Sequence, residues 1–384
     1  MKFKVAIDAS RARSGGAISH LIGIINVAQP LDYEISEVHI WASSKLSSLL
    51  PSKSWLVIHH HSFIEKNIFF QMFWQLFLLR WEIKKNNCDI LLSLDAGTLY
   101  VHKPSVVMSR DMLSFESSEI NRYLSVKTII PWLRLYLLRF VQINSLKKAT
   151  VALFLTNYAA QTILKWTGPL SNYRIIPHGV GSDFKNIDLS NPWPVDDSTP
   201  IRCLYVSNTA LYKHQWHVVE AFHLLRKEGF NVIIEFVGGG SGESRKKLEL
   251  AINNFDPDRK FTIVNEFLEK RKLPVKLSQA HIFVFASSCE NMPNTLLEAM
   301  AVGLPIACSN RGPMPEVLKD AGVYFEPENP QSIYTAVKSL LEDSELRKKS
   351  SEKAKALSLA YSWERCSDET FQLLQEIIKK QNKL

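Results

Sequence analysis

The sequence predicts an α/β protein built from two doubly wound domains in tandem, and three observations lead there. Apolar β-prone runs alternate with stretches of helical periodicity along most of the chain, the rhythm of parallel sheets with helices on both faces. An aperiodic stretch, 186–200, carries Pro192, Pro194 and Pro200 and interrupts that rhythm, so it reads as the connection between halves. The 384 residues, 46% hydrophobic and 22% charged, suffice for two cores. The expected domains are 1–190 and 191–362, with an amphipathic helix to follow.

In the first half, strand 3–8 precedes a helix from Ala17, and further strands are expected at 90–94, 105–109, 151–155 and 174–177. The second half reads as strand 201–207, helix 215–228, strand 232–237, helix 243–253 and strand 261–264. The run Ile282, Phe283, Val284, Phe285, Ala286 is another strand. A helix then runs to Val302 and is stopped by Gly303 and Pro305. Phe371, Leu373, Leu374, Ile377 and Ile378 mark one face of the closing helix.

Composition narrows the functional class. Cys88, Cys203, Cys289, Cys308 and Cys366 are odd in number and far apart, which gives neither a disulfide framework nor zinc spacing and fits a reducing cytosol. The opening 1–8 is a strand interrupted by Asp8 and lacks the pattern of a signal peptide, and no apolar run reaches the length of a bilayer span. The net charge of +8 lies wholly in the first half, where residues 1–190 hold 21 Lys/Arg against 13 Asp/Glu. Between Arg122 and Ala149, six basic residues (Arg122, Lys127, Arg134, Arg139, Lys147, Lys148) and no acid interleave with Trp132, Tyr136, Phe140 and leucines. A basic, aromatic-bearing helix suits an anionic membrane surface, and equally a core-packing helix with a solvated basic face. Phe69, Phe70, Phe73, Trp74, Phe77 and Trp81 form a second aromatic run that also suits a membrane edge, though most are expected to pack against the sheet. No nucleic-acid motif accompanies the charge, so a nucleic-acid partner is not expected.

Ligands of doubly wound sheets bind beyond the carboxyl ends of strands. After the first strand, a loop ends in Gly15 and Gly16 at a helix start, where backbone can approach a ligand closely. After strand 105–109, Arg110 and Asp111 set a cation beside a carboxylate. After strand 201–207, Lys213 stands at a helix entrance and can neutralise a diphosphate. The loop Gly238, Gly239, Gly240, Ser241, Gly242, Glu243 lacks the spacing of a dinucleotide fingerprint. Asp256 and Asp258 spell a D-x-D string in a polar turn expected at the surface, and His59, His60 and His61 alternate faces, so no metal is expected.

The most informative segment runs from Glu290 through Asn291, Met292, Pro293, Asn294 and Thr295 to Glu298. Two carboxylates eight residues apart bracket a helix N-terminus, whose unpaired N–H groups and positive dipole end suit hydroxyls or phosphate. Eight residues of helix span about 12 Å, more than a glycosidase carboxylate pair uses. The two therefore fit opposite ends of one long ligand, such as a nucleotide sugar.

The block Phe285 to Ile306, with Ser287, Glu290, Pro293, Glu298, Ala299, Met300, Gly303 and Pro305, resembles the E-x7-E signature of the retaining glycosyltransferases of family 4. Ile176, Pro177, His178, Gly179 and Val180, the Gly312 to Val317 segment and the N-terminal double glycine are similar to further motifs of that family. The resemblance implies a GT-B fold, with two Rossmann-like domains facing across a cleft and the 363–384 helix crossing back onto the first. It implies that Glu298 accepts hydrogen bonds from the nucleotide ribose, that Gly15, Gly16, Asn291, Met292, Pro293, Asn294 and Thr295 hold the donor, that Glu290 faces the transferred sugar and that Lys213 stabilises the departing diphosphate. Arg110 and Asp111 fall on the acceptor side. The implied donor is a UDP-, GDP- or similar nucleotide sugar, with no separate cofactor and no metal. The implied acceptor is a glycan or lipid-linked intermediate of bacterial surface glycans such as O-antigen or capsule, handled in the cytoplasm or on the inner face of the cytoplasmic membrane. Ser207 and Asn208 stand where the family has Gly-Arg, so one diphosphate cation is either missing or supplied elsewhere, with Arg311 a candidate, and Asn291 replaces a glycine. A silent sugar-nucleotide-binding scaffold and a sugar-nucleotide epimerase are the competing readings.

Overall fold

A computed structural model describes residues 2–13, 15–124, 129–266 and 268–382. Ser14, Lys127, Lys383 and Leu384, which the readings above included, lie outside the described residues. The chain divides into two compact units, Met1–Gly179 with Ser362–Leu384, and Val180–Tyr361.

The first unit is built on strands β1 (Phe3–Asp8), β2 (Ile35–Trp41), β3 (Leu56–His59), β4 (Ile90–Ser93), β5 (Ser105–Met108), β6 (Val151–Phe154) and β7 (Tyr173–Ile175). They form one parallel sheet in the order β3-β2-β1-β4-β5-β6-β7. Its central strands are apolar on both faces because helices cover both: Val5, Ile7, Leu91, Leu92, Val107 and Leu153 are all buried. Helix Gly16–Val27 packs against helix Trp363–Gln381, and the contact is close because the first helix has no side chain at Gly23. A Cβ there would lie 2.3 Å from the Trp363 indole, and one at Gly179 would lie 2.2 Å from the Trp363 amide nitrogen.

The second unit holds β8 (Ile201–Val206), β9 (Val232–Val237), β10 (Thr262–Asn265), β11 (Ile282–Phe285), β12 (Ile306–Ser309) and β13 (Val323–Phe325). These make a parallel sheet in the order β10-β9-β8-β11-β12-β13. In each sheet the chain winds outward one way and then returns to the other side of its first strand. The topological switch points therefore fall between β1 and β4 and between β8 and β11.

The stretch 186–200, read from sequence as a free connection, is docked on the second unit. Asn191 Nδ2 donates to the Gln279 carbonyl at 3.0 Å, the Pro192 carbonyl lies 3.1 Å from His281 Nε2, and the Arg347 guanidinium stacks 3.7 Å from the centre of the Trp193 ring. Prolines forbid regular structure here but not packing, because their fixed φ lowers the entropy lost on docking. All five cysteines are buried and free. No described helix is long and apolar enough to cross a membrane.

Helix Ile129–Lys148 does not follow the core-packing alternative. Its buried residues are Arg139, Gln142, Ser145 and Leu146, three of them polar, while Ile130, Leu133, Leu137 and Phe140 face solvent. Arg139 is not on a solvated basic face. Its Nε donates to the Ser114 carbonyl at 2.5 Å, and its guanidinium sits 3.8 Å from the centre of the Trp166 ring. The aromatic run is likewise reversed: Trp74 is fully buried, but Phe69, Phe70, Phe73, Phe77 and Trp81 are exposed.

Candidate active site

The site of the second unit is assembled at its switch point. Glu290 follows β11 and Lys213 follows β8, and those strands are neighbours, so the two loops emerge side by side. They are tied together twice: the Ser288 amide donates to the Tyr212 carbonyl at 2.8 Å, and His214 Nε2 lies 2.8 Å from Ser288 Oγ. Tyr205, buried in β8, donates its hydroxyl to the Lys213 carbonyl at 2.7 Å and fixes the loop from below. The backbone reverses at His214, whose φ of 49° is left-handed, and helix Gln215–Lys227 starts there.

This scaffold brings Lys213 Nζ and Glu290 Oε1 into a direct ion pair. Lys213 is 7% exposed, and its ammonium lies 5.2 Å from the centre of the Tyr212 ring and 5.4 Å from that of Phe285, inside an aromatic wall that lowers the local dielectric. The pair joins the two residues to which the sequence assigned catalysis, and it spans 77 residues of chain.

Glu298 lies on helix Asn294–Val302, whose N-terminus has no side-chain cap and whose end is set by Gly303 at φ 86°. Its Oε2 is buried and accepts no hydrogen bond. Burial pushes the carboxyl up to about 7, against a smaller lowering by Lys270 and a smaller raising by Asp183. Such a carboxylate is held ready for donors that the protein itself does not supply. Of the loop between the glutamates, Asn291 and Met292 are buried at 6% exposure each, while Asn294 and Thr295 are partly exposed. Asn291 does not take a left-handed φ, so the glycine it replaces is not missed for that reason.

Two expectations from the sequence are corrected. Arg311 does not stand ready as a diphosphate cation, because its guanidinium is held by Glu326 at 2.5 Å and Glu328 at 2.6 Å. Asp256 is not a surface residue: it is 3% exposed and accepts from the amides of Lys260, Phe261 and Thr262, closing the turn into β10. His59, for its part, contacts His39, with Nε2 2.9 Å from His39 Nδ1.

The loop after β9 supports the Lys213 loop through backbone contacts. Gly238, at φ 125°, leaves no room for a side chain: a Cβ would lie 2.3 Å from the Ser207 carbonyl oxygen. Gly238→Ala is expected to destabilise the protein by at least about 2 kcal/mol through strain and that clash, read as a lower melting temperature. A cavity of about 610 Å³ lined by Arg202, Cys203, Glu235 and Lys276 borders the opening half of β8, away from the strand ends that carry Lys213 and Glu290.

In the first unit, Gly15 caps helix Gly16–Val27 at φ 61° and a Cβ there would meet nothing within 4 Å, so its backbone is open to approach. Arg110 follows β5. Its Nε is buried without a hydrogen-bond partner, and Asp95 acts on it electrostatically. Burial holds the guanidinium below the usual arginine range, though still protonated at neutral pH. Asp111 does not pair with it. Asp111 Oδ1 accepts from the Leu113 amide at 3.1 Å and Oδ2 from Gln142 Nε2 at 3.4 Å, with burial raising its pKa.

The winding of both sheets is matched in known proteins. Residues 193–357 match the family described as Glycosyl transferases group 1. The matched stretch covers most of the second unit. The O-antigen chain mannosyltransferase B of Escherichia coli is 32% identical over 104 residues, 27% of either chain. The alpha-D-kanosaminyltransferase of Streptomyces kanamyceticus is 25% identical over 250 residues, 62% of this chain and 64% of that one. The matches thus span less than two thirds of these relatives' own lengths. Among solved structures, sucrose-phosphate synthase from Thermosynechococcus elongatus superposes with a TM-score of 0.76 at 14% identity, over 99% of this chain and 100% of that one. Anabaena HepE in complex with UDP and glucose gives 0.72 at 16% identity, over 97% and 99%. The fold is GT-B, with two Rossmann-like domains.

Sequence reading missed Tyr205, His214 and Ser288, which hold the two loops in register. A histidine at a strand-to-helix turn and a serine two residues before Glu290 were visible, but their contact is set only by the adjacency of β8 and β11.

Proposed function

We propose that the protein is a retaining, metal-independent glycosyltransferase of family 4 that moves a sugar from a nucleotide diphosphate donor to a glycan or lipid-linked acceptor. The observation that carries this reading is the Lys213–Glu290 pair at the β8/β11 switch point, beside an uncapped helix N-terminus and a Glu298 carboxylate whose buried Oε2 accepts no hydrogen bond. On donor binding, the Lys213 ammonium passes from Glu290 to the diphosphate and stabilises it as it leaves. Glu290, released, orients the sugar and offsets the positive charge that develops on it. The β-phosphate takes the acceptor's proton on the face the leaving group departs from, so configuration is kept. Asn291 to Thr295 supply backbone to the sugar and phosphates, Glu298 receives the ribose hydroxyls, and Gly15 and Gly16 add backbone contacts to the donor.

Arg110 gives the acceptor reading its chemistry. A buried guanidinium whose Nε has no hydrogen bond suits an oxyanion, and the phosphate of a lipid-linked acceptor supplies one. The similarity to a relative named as an O-antigen chain mannosyltransferase supports surface glycan assembly, which we place on the inner face of the cytoplasmic membrane. The test is incubation with UDP- and GDP-sugars and a polyprenyl-diphosphate glycan, with the anomeric configuration of the product read by NMR. Retention is expected, with Arg110→Ala raising the KM for acceptor and leaving that for donor unchanged. An inverted product, or no turnover of any donor, sinks the reading.

A further inference from the structure

Helix Ile129–Lys148 is inside-out. An amphipathic helix on a water-soluble domain buries its apolar stripe and solvates its polar one. Here Arg139, Gln142 and Ser145 are buried, each hydrogen-bonded: Arg139 to the Ser114 carbonyl, Gln142 to Ser114 Oγ at 3.0 Å, and Ser145 to the Ala96 carbonyl. The outward stripe consists of Ile129, Ile130, Leu133, Leu137 and Phe140, with Ile130 at 79% and Phe140 at 68% exposure. These positions recur at helical spacing, so they make one continuous apolar line about three turns long.

The same unit exposes a second such line. Phe69, Phe73, Phe77 and Trp81 follow one another every four residues through the helical run 68–85, while Trp74, Leu79 and Ile83 on the other side are buried in a core with Ile64 and Leu91. Folding has therefore filled its core and still left both lines in water. Scattered exposed apolar residues are ordinary, whereas aligned aromatic stripes on two elements are not.

Charge identifies what covers them. Between Ile129 and Lys148 there is no acid, and Arg134, Lys147 and Lys148 are exposed. Between Lys66 and Lys85 the only acid is Glu82, against Lys66, Arg80, Lys84 and Lys85. Lys66 lies 4.6 Å from the centre of the Phe70 ring and Lys85 4.8 Å from that of Trp81, so the cations border the aromatic line. Apolar, aromatic faces edged by cations match the boundary between acyl chains and anionic headgroups. A second copy of the chain would set the same cations against each other.

We infer that these two faces, the 129–140 line and the Phe69/Phe73/Phe77/Trp81 line, insert into the surface of an anionic bilayer. The inference rests on the membrane location proposed above and names the surface responsible. The experiment is sedimentation of the full chain with phosphatidylcholine vesicles, with and without phosphatidylglycerol. It compares the parent with the triple variants Leu133→Ser/Leu137→Ser/Phe140→Ser and Phe69→Ser/Phe73→Ser/Phe77→Ser. Binding of the parent to the anionic vesicles is expected to fall at least about tenfold in each variant, with melting temperature and hydrolysis of a soluble donor unchanged. Undiminished binding of both variants overturns the assignment of the surface and leaves the membrane location standing. A parent that ignores anionic vesicles overturns both. Loss of concentration-dependent self-association in the variants, read by analytical ultracentrifugation without any change in vesicle binding, gives the faces to a second copy instead.

Discussion

Lys213→Ala is expected to lower the turnover number for sugar transfer by about 10²–10³-fold, the range seen when one preorganised stabiliser of developing charge is removed. The KM for donor should change less, because the ammonium matters most as charge builds on the departing diphosphate. The same substitution leaves Glu290 in its aromatic-walled site without its cation. Both side chains are largely buried, 9% and 17% exposed, so stability is expected to fall by roughly 3 kcal/mol. Adding Glu290→Ala separates the two effects. The double variant should regain much of the lost melting temperature and none of the lost turnover, whereas a double variant as unstable as the single one would mean that the pair is not the source of the loss. Steady-state kinetics and thermal melting on the three variants decide it, and a Lys213→Ala enzyme with near-parental turnover removes the lysine from the mechanism.

Glu298 should make both stability and nucleotide binding depend on pH, in opposite directions. Its carboxyl ionises near 7 in the folded chain, raised by burial, and near 4.5 when unfolded. Between those values the folded state holds the extra proton, so the site's contribution falls as pH rises through the window. Above it, holding the ionised carboxylate with its Oε2 buried and unbonded costs on the order of 3 kcal/mol. Glu298→Gln is expected to flatten that slope and to raise the melting temperature at pH 8, less whatever its unpaired amide costs. Ribose hydroxyls donate to the ionised form, so nucleoside diphosphate binding should expel a proton and tighten as pH climbs from about 5 to 7. Calorimetry of UDP and GDP in buffers of different ionisation enthalpy measures the proton. Binding that is pH-independent and proton-neutral in the parent would remove Glu298 from the nucleotide site.

The strands that could be read from sequence were those whose apolar runs are broken by at most a residue or two between clear turns. β11 is wholly apolar, β8 and β9 are broken only at Arg202 and Glu235, and the loops after β8 and β11 carry Lys213 and Glu290. β2 went unread because Ser36, Glu37 and His39 break its apolar run. Those polar groups are answered by partners far along the chain: Glu37 pairs with Lys4 at 2.8 Å, and His39 with His59. β13 has only three residues, too few for any period to show. Helix Ile129–Lys148 could be read from sequence either as a membrane-surface helix or as a core-packing one, and the sequence did not choose between them. Hydrophobicity alone places Leu133 and Phe140 inward, and only the carbonyls of Ser114 and Ala96 explain why Arg139 and Ser145 took those places. The pairing of Lys213 with Glu290 needed the strand order, which periodicity does not provide. Arg311 was a plausible cation until Glu326 and Glu328, fifteen and seventeen residues downstream, proved to hold it.

The seating of helix Trp363–Gln381 against Gly23 and Gly179 bears on how the chain is made. The second unit is one unbroken stretch of sequence, whereas the first cannot be completed until its last helix has left the ribosome. Throughout synthesis of the second unit, helix Gly16–Val27 lacks its Trp363 partner, and its apolar side is open to chaperones or to misassociation. The order of completion is therefore the reverse of the order of synthesis.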